Sequence, residues 1–182
     1  MQIKETNIKD CYELEPRVFE DQRGYFFESF NQKRYAELTG FMVNFVQDNQ
    51  SFSTKGVLRG LHYQKGESAQ AKLVRVLQGK VLDVAVDIRK DSPTYGNVFK
   101  TILSSENYRH LFIPRGCAHG FVTLSDTATF FYKCDNYYDP KAEAGIIYND
   151  ANLNIDWEIT DSELIISEKD KILPHFKDLV IH

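Results

Sequence analysis

Cysteine is scarce in this chain, with three residues in 182: Cys11, Cys117 and Cys134. They form no CxxC pair, and an odd number makes a poor disulfide framework. They read as reduced thiols of a cytoplasmic protein. Long apolar runs are missing, which excludes a membrane-spanning helix. The start, Met1-Gln2-Ile3-Lys4-Glu5, is polar and lacks the apolar stretch of a secretion signal. Positive charge is not in excess: Lys and Arg number 22 against 26 Asp and Glu, for a net charge of −4. That argues against a general nucleic-acid binder, although a local cationic pocket remains possible. No GxGxxG motif is present to suggest a nicotinamide site. Linkers, repeats and low-complexity tracts are likewise missing.

What is present is enough for one domain spanning 1–182 with a sizeable core. The 13 Phe and 10 Tyr favour strands and can stack on ring-shaped ligands. Turn signals recur at short intervals with alternating apolar residues between them, predicting an all-β sandwich or barrel. The runs Leu73 to Leu77 and Val81 to Ile88 flank Gln78-Gly79-Lys80, which predicts a hairpin turn. In the second run Leu82, Val84, Val86 and Ile88 share one face, with Val81, Asp83, Ala85 and Asp87 on the other. Further strands are expected at Phe45 to Phe52, Val98 to Leu103, Phe121 to Leu124, Thr129 to Cys134 and Gly145 to Tyr148. A helix is expected from Asn31 to Leu38, capped by Asn31 and stopped by Gly40. The tail, 160–182, reads as short helical turns packed on the outside of the barrel.

The segment Gly56-Val57-Leu58-Arg59-Gly60-Leu61-His62-Tyr63-Gln64 places a fixed cation beside a histidine in an apolar strand. Arginine grips phosphate bidentately, and histidine takes a proton near neutral pH. Together they suggest an anionic substrate held against a base; taken alone, the stretch reads better as a half-buried strand with one polar face. A second histidine, His119, ends Pro114-Arg115-Gly116-Cys117-Ala118-His119, a PxGxxH turn of the kind found in cupin barrels. Cupins usually bind metal through an HxH pair, a carboxylate and this histidine. Here the HxH slot reads His62-Tyr63-Gln64, so a ligand is missing and a cupin-type jelly roll without catalytic metal is expected. Cys117 is a possible nucleophile, but free cysteine is commonly inert packing material. Tyr132, on a strand face with Phe130 and Cys134, is either an aromatic core residue or a phenolic proton donor. Lys72 opens an apolar strand, where a cation can stabilise an enolate oxygen.

Five blocks then occur in one order: Val18 to Phe30, Phe45 to Asn49, Val57 to Gln64, Ile113 to Val122 and Tyr132-Lys133. In these blocks, over about Ile3 to Asp170, the sequence resembles the dTDP-4-dehydrorhamnose 3,5-epimerases of the rhamnose pathway. The resemblance implies a cofactor-free epimerase acting on a dTDP-linked 4-keto-6-deoxy sugar at C3 and C5. It makes His62 the base, Tyr132 the acid and Asp170 the partner of His62, with Lys72 facing the C4 oxygen. Asp83 and His119 would line the pocket, Arg23 and Arg59 hold the diphosphate, and Tyr138 stack on thymine. Glu28, Gln47, Asn49, Glu143 and Lys169 stand at the family's substrate contacts. The resemblance also implies a homodimer in which an N-terminal strand crosses to complete the partner's site. Tyr148 departs from the family, many of whose members have tryptophan before Asn149-Asp150. The rival readings are an epimerase inverting C3 or C5 alone on another deoxysugar, a metal cupin, and a non-catalytic nucleotide-sugar binder.

Overall fold

The computed structural model describes residues 1–179. Its strands are β1 (Gln2–Glu5), β2 (Tyr12–Glu15), β3 (Phe19–Asp21), β4 (Gly24–Phe26), β5 (Gln47–Thr54), β6 (Val57–Gln64), β7 (Lys72–Gln78), β8 (Lys80–Asp87), β9 (Val98–Ser104), β10 (His110–Ile113), β11 (Cys117–Thr123), β12 (Thr127–Cys134), β13 (Glu143–Gly145) and β14 (Ile165–Ile166). Two α-helices, α1 (Gln32–Thr39) and α2 (Glu168–Lys171), accompany them. One sheet runs β1-β2-β10-β7-β12-β5 and the other β13-β6-β11-β8-β9, with β14 added in parallel to β6. The two sheets face each other as a cupin-type jelly roll, and β3 and β4 form a separate ribbon. Among the described residues no helix is long and apolar enough to cross a membrane.

The expected hairpin at Gln78-Gly79-Lys80 is not one. β7 pairs with β10 and β12 in the first sheet, while β8 pairs with β9 and β11 in the second. The chain passes from sheet to sheet at Gly79, whose φ of +81° and crowding by the Thr127 carbonyl leave no place for a side chain. Alternation marks strands and turn residues mark corners, but neither says which sheet a strand joins.

β8 is buried on both faces: the set from Leu82 to Ile88 is wholly apolar, and the other joins Val81 and Ala85 to two buried carboxylates, Asp83 and Asp87. Val81 and Ala85 join Val74, Val76, Phe121 and Phe130 between the sheets. Leu82, Val84, Val86 and Ile88 pack outward against Leu58, Val122, Ile146 and Trp157. The described part of the tail covers that outer layer through Leu164, Ile166, Phe176 and Leu179. Residues 180–182 of the expected tail lie outside the described residues. The tail contains 3₁₀ turns and α2 but also β14, a two-residue strand too short for alternation to reveal.

α1 starts where expected, with the Asn31 side chain accepting from the Arg34 N–H at 3.1 Å and Gly40 in the left-handed region. β5 begins at Gln47 rather than Phe45, and β13 occupies Glu143–Gly145 rather than Gly145 to Tyr148. Ile146 still exchanges backbone hydrogen bonds with Leu61, but the Ile147 N–H turns to the Pro174 carbonyl, ending the pairing. At the end of β8, Asp87 is fully buried. Its carboxylate accepts from Arg89 Nε and Nη2, Ser92 Oγ and Thr94 Oγ1 at 2.6–2.9 Å. Burial opposes its ionisation, yet these bonds win and hold its pKa down at about 2.

Candidate active site

A cavity of about 610 Å³ opens between the two sheets, lined in part by His62, Lys72, His119, Tyr132, Arg59, Asn49, Lys169 and Asp170. His62 and His119 come from neighbouring positions of β6 and β11 in one sheet. Lys72 and Tyr132 come from the adjacent strands β7 and β12 of the other. Imidazole and phenol therefore enter the same space from opposite walls. The β6–β11 register shifts beyond His119, where Gly60 and Gly120 meet. A Cβ on Gly60 would lie 2.6 Å from Gly120 Cα, so the close approach that sets both histidines admits only glycine.

His62 Nε2 is 2.7 Å from Asp170 Oδ1, a contact that joins residues 108 positions apart. Asp170 is 4% exposed. Burial works against its charge, but the hydrogen bond and charge of His62, the Gly60 N–H and Ser167 outweigh it and lower its pKa. An ionised Asp170 accepts only, so Nε2 carries hydrogen and Nδ1 is left as the proton acceptor. α2 holds Asp170 in place: Ser167 caps it, with Oγ accepting from the Asp170 N–H at 3.1 Å. Ser167 and the flanking Ile165 and Ile166 also line the cavity. None of the three was singled out from sequence, and a Ser-x-x-Asp cap was the only available signal.

His119 Nε2 lies 3.0 Å from Asp83 Oδ2, with Asp83 fully buried behind the cavity wall. Each imidazole thus spends one nitrogen on a carboxylate. Among the described residues no three His, Cys, Asp or Glu side chains gather as a metal site. Burial drives the Tyr132 pKa up to about 12, keeping the phenol protonated. Burial lowers that of Lys72, partly countered by Cys134, Asp83 and Glu143. Lys72 Nζ sits 5.7 Å from the centre of the Tyr132 ring, in cation–π range. Cys117 lies in the core between the sheets, and burial pushes its thiol well above the usual range, so a nucleophilic role has no support there.

Arg59 is steered by Ser53 Oγ, which accepts from Nε at 3.1 Å, and by the Phe52 carbonyl. Gln47 and Asn49 are joined by a 3.0 Å hydrogen bond on the inward side of β5. Tyr138, Glu143 and Lys169 form one group: the Tyr138 hydroxyl donates to Glu143 Oε2 at 2.8 Å and Lys169 Nζ to the same oxygen at 2.6 Å. Arg23 and Glu28 stand apart from the cavity. Arg23 is paired with Asp21 on the β3–β4 ribbon, and Glu28 with Arg34 of α1.

A profile of the dTDP-4-dehydrorhamnose 3,5-epimerases matches residues 5–178. The enzyme of that name from Salmonella typhimurium is 54% identical over 174 residues, covering 96% of this chain and 94% of its own. The crystal structure of the Elizabethkingia anophelis enzyme superposes with a TM-score of 0.95 at 55% identity, over 98% of this chain and 97% of that one. The Legionella pneumophila dTDP-6-deoxy-D-glucose-3,5-epimerase, solved in complex with dTDP-4-keto-L-rhamnose, gives 0.94 at 49% identity, over 98% and 94%. Sequence and fold agree across nearly the whole length, and the chain belongs to the dTDP-4-dehydrorhamnose 3,5-epimerase family.

Proposed function

We propose that this protein converts dTDP-4-dehydro-6-deoxy-D-glucose to dTDP-4-dehydro-L-rhamnose by inverting C3 and C5 in turn. One observation carries the reading: a carboxylate-backed imidazole and a protonated phenol face a single cavity from opposite sheets. Inversion needs a base on one side of a carbon and an acid on the other. The C4 ketone makes hydrogens on C3 and C5 acidic, because the electrons left behind delocalise onto the C4 oxygen. His62 Nδ1 takes the proton, and Asp170 stabilises the imidazolium that forms. The Lys72 ammonium stabilises the enolate oxygen without reorganising. Tyr132 then delivers its proton to the opposite side of the carbon, and exchange with solvent resets both groups.

Arg59 and Arg23 are assigned to the diphosphate and Tyr138 to the thymine. Gln47, Asn49, Glu28, Glu143 and Lys169 take the remaining polar contacts, and His119 with Asp83 supports the sugar-facing wall. Arg23 and Glu28, remote from their own cavity, fit a homodimer. The β3–β4 ribbon leaves Phe19, Tyr25 and Phe26 more than half exposed, a surface suited to a second copy of this chain.

The test is NMR of the purified protein with dTDP-4-dehydro-6-deoxy-D-glucose in D₂O. Deuterium should enter at both C3 and C5, with the L-sugar as product. Label at one carbon alone would indicate a single-site epimerase, and binding without label a non-catalytic protein.

A further inference from the structure

Asp170 lies on a helix of four residues, too short to hold its own shape in water. Its place beside His62 therefore depends on how the chain is tied down on either side. Upstream, β14 pairs with β6, and the Ile165 N–H donates to the Gly56 carbonyl at 2.8 Å. Downstream, the tie is Asp150. Its side chain is fully buried, and the carboxylate is shared between two stretches of chain. Oδ1 accepts from the Asn152 and Leu153 N–H groups at 2.8 and 3.1 Å, which fixes its own turn. Oδ2 accepts from the Phe176 N–H at 2.8 Å and pairs with His175 Nδ1 at 3.0 Å. Beside it the Ile147 N–H bonds the Pro174 carbonyl at 3.0 Å. Between α2 and this knot, Leu173 rests over Gly145, the residue paired with His62.

We propose that Asp150 is a positioning residue for the acid–base couple: by fastening the chain at His175 and Phe176, it keeps α2 and Asp170 against His62. The proposal rests on reading His62 and Asp170 as the base. Asp150 does not line the cavity, so it acts only through the segment it holds.

Asp150→Asn keeps the volume and the oxygen that serves Asn152 and Leu153, but turns an amide towards Phe176 and His175. In the full-length protein kcat should fall about tenfold or more, with KM changed less than about threefold, since slight misplacement of a catalytic group costs that much. Amide hydrogen exchange across 168–173 should quicken. In an Asp170→Ala background, followed by slow solvent-deuterium exchange into substrate, the same substitution should add less than about a twofold loss, because nothing remains to be positioned. An unchanged kcat for Asp150→Asn overturns the proposal, as does a full loss repeated in the Asp170→Ala background. Should Asp150→Asn not fold, His175→Ala removes one of the two downstream bonds from a half-exposed side chain. It should give a smaller loss with the same dependence on Asp170, and no loss overturns the proposal. If Asp170→Ala itself turns over normally, the base assignment falls and takes the proposal with it. A crippled Asp170→Ala beside a normal Asp150→Asn removes only the role of Asp150.

Discussion

Replacing Asp170 by asparagine should do more harm than replacing it by alanine. The wild-type carboxylate is buried, 2.7 Å from His62 Nε2, and also accepts from the Gly60 N–H at 3.4 Å. A charge-assisted hydrogen bond of this kind contributes about 1.5–3 kcal/mol. If it acts fully on the imidazolium in the transition state, Asp170→Ala should slow turnover roughly 10- to 150-fold, at about 1.4 kcal/mol per decade. Asparagine loses the same charge and adds a second fault. Its oxygen is retained by the Gly60 N–H, so its amide nitrogen turns to His62 and donates to Nε2. The hydrogen is then forced onto Nδ1, the atom that must accept the substrate proton. Locking such a couple in the wrong tautomer costs up to about 10⁴-fold. The assay is the rate of deuterium entry at C3 and C5 under saturating substrate. An asparagine variant as active as the alanine variant, or more so, would refute both the assigned tautomer and the direction of proton transfer.

Tyr132→Phe should spare hydrogen exchange at C3 and C5 better than net inversion, with inversion falling about 10²-fold or more, since only the acid is removed; equal losses in the two NMR readouts would count against its role. Asp87→Asn should cost about 2 kcal/mol of stability at neutral pH, from the drop in its pKa from 3.8 to about 2. A depressed carboxylate pKa stabilises the fold fully above about pH 4, and that contribution disappears as pH falls through the folded value. Urea denaturation across pH 2–7 should therefore show a shallower acid loss in the variant than in the wild type.

Local features of the chain were readable in advance, and distant partnerships were not. The α1 boundaries follow from Asn31 and Gly40, which act within one turn. Strands β8, β9 and β12 follow from residues that alternate or branch at Cβ. The assignment of β7 and β8 to different sheets could not be seen, because Gly79 suits a hairpin and a corner equally. His62 was visible as a candidate beside Arg59. Beyond the Ser167 cap, nothing near Asp170 marks it as the partner of His62, and only the likeness to a family linked the two. Asp150 showed in the sequence only as the end of Tyr148-Asn149-Asp150, with no sign of a role, and its partners His175 and Phe176 become neighbours only once the tail has wrapped the barrel.

The tail's route has a bearing on synthesis. All strands of the barrel except the two-residue β14 are complete in sequence by Gly145, yet the carboxylate that backs the imidazole arrives with α2, behind every strand. A nascent chain can close its core before it is able to move a proton. Nucleotide-sugar chemistry is thus reserved for chains translated at least as far as α2.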